Sequence, residues 1–509
     1  MRILLLRPYP ETAQFGLSPF FQTEPLGLMY LAAALRQAGH SVQLADMRFE
    51  SRGIAKILRE CQPDLAAISC LHILEAPECL RLADQIKAHN PKIFVAIGGH
   101  AISAYPKAVD LNRSVDAICI GEGETLLPAL CDAVENGRPL DTLPSLLLPK
   151  GDGRFQATAA QPGRFLDLAQ MPLPDRSVVA RYQKRYACLN YMPMWTMETA
   201  RGCSYRCNFC SVWQLYKRTY RCFAPEQVRA DFEATGRNLF MVDDLFWADR
   251  QRSEELGRTL LRSKERKNLL LVQTRADLVT ENADLLKLWR PLAKSFDIFF
   301  GLESATSPGL NSLVKDADIN KTVEAVRIAR ELGFGVTGNF IIDPDFTEED
   351  FQRLWDFIDE HQLYRVGFTI LTPLPGTSYF EKSKKKIDVF DWSHYDLHHL
   401  LWQPRLPVER FWELYCESWR RSVLNIAGKK KWWQWLSQVR VRDIPRLAQI
   451  LARTQTLMDP QAYLRETNLL RPRGLDSKGL DPRGLDARGL APVSESPSEA
   501  ASTGALRGA

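Results

Sequence analysis

Cys203, Cys207 and Cys210 form a Cys-x-x-x-Cys-x-x-Cys run inside the stretch Glu198-Thr-Ala-Arg-Gly-Cys-Ser-Tyr-Arg-Cys-Asn-Phe-Cys210. Three thiolates on one short loop can converge on one iron–sulfur cluster. A cubane cluster has four irons, so three sulfur ligands leave one iron vacant. Such a corner can take a substrate or a second cofactor, as the open position does at a catalytic metal. The competing readings are a structural zinc site and reduced core thiols. Zinc usually needs a fourth Cys or His, often in a second Cys-x-x-Cys pair. None is evident, although Cys188 and Cys222 are close enough in sequence to serve.

The run follows a strand-like segment, Met194 to Ala200, and from Trp195 strand and helix signals alternate. Candidate strands are 195–200, 239–242, 269–273, 298–301, 335–342 and 366–371, with helical stretches at 225–235, 253–263 and 321–333. Six such units suggest an incomplete (β/α)6 barrel over residues 194–400, with functional groups at the carboxyl ends of its strands. Those ends are polar: Asp243-Asp244, Thr274-Arg275-Ala276-Asp277 and Gly301-Leu302-Glu303-Ser304. Caps and surface ion pairs would explain any one of these residues equally well.

Residues 1–145 carry a second alternation. Arg2 to Arg7, Ser41 to Ala45, and the short apolar runs at 66–70, 93–97 and 117–120 read as strands covered on both faces. Pro25 to Ala38 has helical periodicity and stops at Gly39. This predicts an α/β, doubly wound parallel sheet, with ligands beyond the carboxyl ends of its strands. At those ends stand Ser69-Cys70-Leu71, Gly98-Gly99-His100-Ala101 and Gly121-Glu122-Gly123-Glu124. Residues 146–193, rich in Pro, Gly and polar groups, read as an extended linker.

Residues 401–465 have helical character. They include Lys429-Lys-Lys-Trp-Trp-Gln-Trp435 and then Arg440, Arg442 and Arg446. Basic residues among tryptophans suit a peripheral contact with a membrane surface. A helix packed on the barrel with a solvated basic face suits the same composition. Residues 466–509 hold a five-residue repeat built on Arg-Gly-Leu-Asp and a Ser/Ala/Pro-rich end, with little to bury, and read as disordered.

Composition narrows the class. The 509 residues are 45% hydrophobic and 25% charged, as in a globular protein of two or three domains. No apolar run reaches the roughly 18 residues that span a bilayer, and the first residues are too short and too soon interrupted for a signal peptide. Of the 11 cysteines, the eight outside the run are scattered, so a reducing, cytoplasmic location is expected, with any membrane contact on the inner face. A net charge of +5 is mild for this length and does not suggest nucleic acid.

The cysteine spacing, with the aromatic Phe209 ahead of the third cysteine, resembles the signature of the radical S-adenosylmethionine (SAM) superfamily. The resemblance implies a 4Fe-4S cluster on Cys203, Cys207 and Cys210, whose open iron chelates SAM. Electron transfer then breaks a C–S bond to give a 5′-deoxyadenosyl radical. It also implies that Asp243 or Asp244 lies near the SAM amino group, Glu303 near its ribose or methionine moiety, and Arg275 at its carboxylate. Asn339 and Ile342-Asp-Pro-Asp-Phe346 stand where relatives usually have a glycine-rich segment. The glycine and serine motifs of the first domain resemble a cobalamin-binding domain. There Ser69, Leu71, Gly98, Gly99, Glu122 and Gly123 would surround the nucleotide tail. Many such domains carry Asp-x-His-x-x-Gly with a cobalt-ligating histidine; here the place is Asp46-Met47-Arg48-Phe49, so no histidine lower ligand is expected.

Together the two halves, and Pro373-Leu-Pro-Gly-Thr377 after the sixth unit, resemble the cobalamin-dependent radical SAM methyltransferases over residues 1–400. Within them, Arg7-Pro-Tyr-Pro, Phe15-Gly-Leu, Glu24-Pro-Leu-Gly-Leu28 and Asp46-Met-Arg-Phe-Glu50 resemble the hopanoid C-3 methylases. The resemblance implies methylcobalamin as methyl donor, a hopanoid lipid substrate and an electron donor such as flavodoxin or ferredoxin. A tetrapyrrole ring cyclase of the same architecture and a non-enzymatic cobalamin or redox sensor are the alternatives.

Overall fold

The structure, a computed structural model, describes residues 1–10, 20–158, 165–189, 191–315, 317–428 and 444–469. Phe15-Gly-Leu, the Lys429–Trp435 stretch, Arg440, Arg442 and the repeats from Arg473 onward lie outside the described residues.

The first domain is a seven-stranded sheet. Its order is Ser41–Asp46, Arg2–Arg7, Leu65–Ser69, Phe94–Gly98, Ala117–Cys119, Leu146–Pro149, Phe155–Ala157. The first five strands pair in parallel. Runs such as Ile3 to Leu6 and Leu65 to Ile68 are buried on both faces, which is why the sequence is apolar without alternation there. Helices Leu26–Gln37 and Gly123–Glu135 cover one face, and Ile54–Cys61 and Ala76–His89 flank the other. The strand order reverses between Arg2–Arg7 and Leu65–Ser69, the place where a doubly wound sheet opens a crevice.

The sheet does not end where the sequence suggests. Leu146–Pro149 and Phe155–Ala157 add antiparallel strands at its edge, so the start of the expected linker is sheet. Pro149 is the last residue of its strand, and Gly151 and Gly153 stand in the turn between the two strands. The punctuation read as a linker is therefore that of a hairpin at an edge. Further on, the 3-10 helix Arg176–Arg185 clamps the two halves of the chain. Arg176 donates to Asp231 at 2.8 and 3.0 Å, to Glu24 at 3.3 Å and to the Thr196 carbonyl at 2.9 Å.

The second sheet has six parallel strands in consecutive order: Trp195–Met197, Asn238–Met241, Lys267–Thr274, Ala293–Glu303, Gly335–Ile342 and Val366–Ile370. This is the partial barrel. Phe246, Trp247, Trp289, Phe296 and Phe334 form one aromatic cluster at its heart. The C-terminal region packs on it as helices Val408–Gly428, Ile444–Leu457 and Pro460–Leu469. Arg446 is turned into the protein, donating to the Leu189 carbonyl at 2.8 Å and to Gln22 at 3.3 Å. Among the described residues no helix is long and apolar enough to cross a membrane.

Candidate active site between two sheets

The cysteine loop is fixed from several sides. Ala200–Arg201 pairs antiparallel with Arg221–Cys222, and the helix Val212–Leu215 follows the last cysteine. Gly202 has a φ of +95°, and a Cβ there would lie 2.2 Å from the Thr219 carbonyl oxygen, so only glycine fits. Its N–H donates to Asp244 at 2.9 Å. Trp213 Nε1 donates to the Cys207 carbonyl at 2.9 Å. Asn208 is held by the Leu313 and Ser312 carbonyls and accepts from the Tyr379 N–H and the Ser378 hydroxyl. Phe209 is half-buried beside it.

The three cysteines are half-buried and in no disulfide. Burial pushes all three thiols up, Cys210 to about 12. Lys315 and Arg275 work against burial at Cys207. The three thiols lie close enough to raise one another's pKa. A cubane takes each sulfur on a different iron, and three cysteines on one loop suit that arrangement.

Around this loop the predicted acids and bases separate into two groups. Asp243 is buried and accepts from the Thr199 N–H and hydroxyl, both at 2.6 Å; burial raises its carboxyl to about 7. It pins the strand that leads to the cysteines. Asp244 instead faces a cavity. Arg275 is engaged with Asp277 at 3.0 Å and with the Lys315 carbonyl at 2.8 Å, and its guanidinium lies 3.6 Å from the centre of the Tyr205 ring. Tyr205 donates to the same Asp277 at 3.0 Å. Glu303, at a bulge with a φ of +61°, accepts from Lys315 Nζ at 2.7 Å.

The cavity, of about 430 Å³, lies between the carboxyl ends of the first sheet and the mouth of the barrel. Ser69, Leu71, Gly98, Gly99, Glu122 and Gly123 all line it from the first domain, and Asp244, Glu198 and Arg201 from the second. Gly99 has a φ of +109°, and a Cβ there would meet the Cys70 carbonyl oxygen at 2.5 Å. These small residues make a wall of backbone that a flat ligand can approach closely.

Sequence reasoning missed the charged junction at the cavity. Arg201, nearly buried, reaches Glu122 at 3.1 Å and Glu124 at 2.7 Å across the domains and Glu198 at 2.7 Å on its own loop. Arg221 also reaches Glu122, at 2.8 Å. Glu122 thus serves as a partner of two arginines, which hold its carboxyl below the usual range against the upward pull of burial. Burial raises Glu198. Where many cobalamin domains carry a histidine, Arg48 instead pairs with the fully buried Asp46 at 2.6 Å and donates to the Thr23 carbonyl at 2.7 Å. His100, the first domain's nearest histidine to the cysteine loop, is held by Ser211.

Comparison with known proteins agrees with this geometry. Family profiles match the B12 binding domain over residues 16–131 and the Radical SAM superfamily over residues 197–358. The hopanoid C-3 methylase of Methylococcus capsulatus is 31% identical over 399 residues, 77% of this chain and 75% of that one. An anaerobic magnesium-protoporphyrin IX monomethyl ester cyclase of Cereibacter sphaeroides is 27% identical over 426 residues, 80% of this chain and 67% of that one. In fold, the chain is similar to the cobalamin-dependent S-adenosylmethionine radical enzyme OxsB. That match has a TM-score of 0.66 and 17% identity, covering 92% of this chain and 75% of that one. It is also similar to the radical S-adenosylmethionine methyltransferase TsrM from Kitasatospora setae, at a TM-score of 0.60 and 19% identity, covering 76% of this chain and 78% of that one. A 4Fe-4S cluster, SAM and cobalamin are the cofactors these two domains use. The chain belongs to the cobalamin-dependent radical SAM methyltransferases.

Proposed function

We propose that the enzyme methylates an unactivated ring carbon of a hopanoid lipid, at C-3 of ring A. The observation that carries this reading is the 31% identity to a hopanoid C-3 methylase over 77% of the chain. An sp³ ring carbon offers no acidic proton and no lone pair, so side-chain bases and nucleophiles have nothing to work on. When bound, the cluster with SAM supplies hydrogen abstraction and methylcobalamin supplies the methyl group; the protein contributes position and exclusion of water.

The residues divide that work. Cys203, Cys207 and Cys210 hold the cluster. Asp244, anchored by the Gly202 N–H on the cysteine loop, is the acid for the SAM amino group. Glu303 with its Lys315 partner faces the ribose or methionine side. Arg275 acts by fixing Tyr205 through Asp277; to take the SAM carboxylate directly it would have to release that pair. Ser69, Leu71, Gly98, Gly99, Glu122 and Gly123 seat the cobalamin tail. Flavodoxin or ferredoxin is the reductant in this reading. The substrate is drawn from the inner face of the cytoplasmic membrane, a reading supported by the composition of residues 429–435.

Expression in a bacterium that makes hopanoids without the 3-methyl group tests the proposal. Mass spectrometry of its lipids should show 3-methylhopanoids with the intact gene and none with Cys203→Ala. Unchanged lipids together with a newly closed porphyrin ring would favour the cyclase reading instead.

A further inference from the structure

We propose a divalent transition-metal site, of the zinc type, formed by His394, His399 and Glu466 where the last described helix meets the segment 394–399. One ligand atom from each of the three lies within 4.8 Å of the others. Glu466 is distant in sequence from the two histidines. His394 ends the 3-10 turn Trp392–His394, His399 follows five residues later, and Glu466 is on helix Pro460–Leu469. Two imidazoles and a carboxylate are a familiar zinc donor set, with a fourth position left for water.

The surroundings supply the orientation that such ligands need. His399 is buried, and its Nδ1 lies 2.9 Å from Oδ1 of the buried Asp396, which also accepts from the His398 N–H at 2.8 Å. A carboxylate on Nδ1 fixes the tautomer that presents Nε2 to a metal. The His394 ring stands edge-on to His399, with centroids 4.8 Å apart. Its Nδ1 faces Ser393 Oγ at 3.4 Å and Asp391 at 3.9 Å. Glu466 is set by its helix, where Tyr463 stacks on Trp412 at 4.4 Å and Thr467 accepts from Trp412 Nε1 at 3.1 Å.

With both rings neutral, a dication here would face the carboxylates of Glu466 and the buried Asp396, with the more exposed Asp391 beside His394. Bringing the three donors to metal–ligand distance needs only a small closure of His394 and Glu466, both half-exposed. The site is a clasp. Trp392, beside His394, packs edge-on against Tyr105 of the first domain at 5.6 Å, so a bound ion links that domain to the last helix.

Elemental analysis of the full-length protein, dialysed against a micromolar chelator after loading with zinc, tests this. The expected result is one zinc per chain in the wild type, retained when Cys203, Cys207 and Cys210 are all replaced by Ala, and lost in His394→Ala and in Glu466→Gln. Zinc should also raise the wild-type Tm by about 3 °C and leave that of Glu466→Gln, with an unchanged circular dichroism spectrum, where it was. Wild type without zinc would overturn the site. So would zinc that stays in both clasp variants, or that leaves with the three cysteines.

Discussion

His100 Nε2 lies 2.6 Å from Ser211 Oγ, joining the first residue of a first-domain helix to the residue after Cys210. The glycine wall proposed to seat cobalamin and the loop proposed to hold the cluster are thus one hydrogen bond apart. Losing it should affect the step that needs both cofactors more than the step that needs one. His100→Ala is expected to keep SAM cleavage near wild type and to lower methylated product about tenfold, the effect of one part-buried hydrogen bond. The ratio of 5′-deoxyadenosine to product measures it; an equal fall in both would contradict the coupling.

The same histidine sets a pH dependence. Burial pushes His100 down to about 4 from 6.5. Between those values the unfolded chain takes a proton that the folded chain refuses, so the wild type loses stability as pH falls from 6.5 to 4. The slope is up to about 1.4 kcal/mol per pH unit for this one group. His100→Gln lacks that slope. Denaturant curves at several pH values should therefore show the stability gap between wild type and variant narrowing toward pH 4.

Arg201 pairs with Glu122, Glu124 and Glu198 where the two domains meet. Arg201→Met leaves these carboxylates together in a place with little water, at a cost of about 3–5 kcal/mol. Burial already raises Glu198, so its protonation relieves the repulsion and the deficit should shrink as pH is lowered from 7 to 5. Thermal unfolding of both proteins across that range checks the sign.

Two adjacent glycines should behave differently. Gly99→Ala drives a methyl into the Cys70 carbonyl in a backbone conformation that alanine avoids, and the purified variant should retain no cobalamin. At Gly98 the nearest atoms to a new Cβ are 3.3 Å away, on Cys119, and Gly98→Ala should keep most of the cofactor. The absorption spectrum of the desalted proteins decides.

The parts of this molecule visible in the sequence are those whose signal is local. The cysteine spacing, the buried parallel strands and the small residues at their ends all sit within a few positions of one another. The Arg201–Glu122 pair spans 79 positions and two domains, and nothing in either segment announces the other. Asp243 and Asp244 are neighbours at a strand end, so they point to opposite sides, and only the fold shows that Asp244 faces the cavity while Asp243 holds Thr199. That Arg275 is engaged by Asp277, two residues on, is not legible in the sequence, where Asp277 reads equally well as a helix cap. The hairpin after residue 145 was hidden because its Pro and Gly are also the marks of a linker.

The proposed reaction moves a methyl group from SAM, by way of cobalamin, to a hopanoid ring carbon. The most direct measurement gives the anaerobically reconstituted enzyme SAM with a trideuterated methyl group, cobalamin, a strong reductant and an unmethylated hopanoid. The expected product is a hopanoid carrying the intact CD3 group at C-3, formed together with 5′-deoxyadenosine and absent when Cys207 is replaced by Ala. Formation of 5′-deoxyadenosine with the label nowhere in the lipid would contradict it.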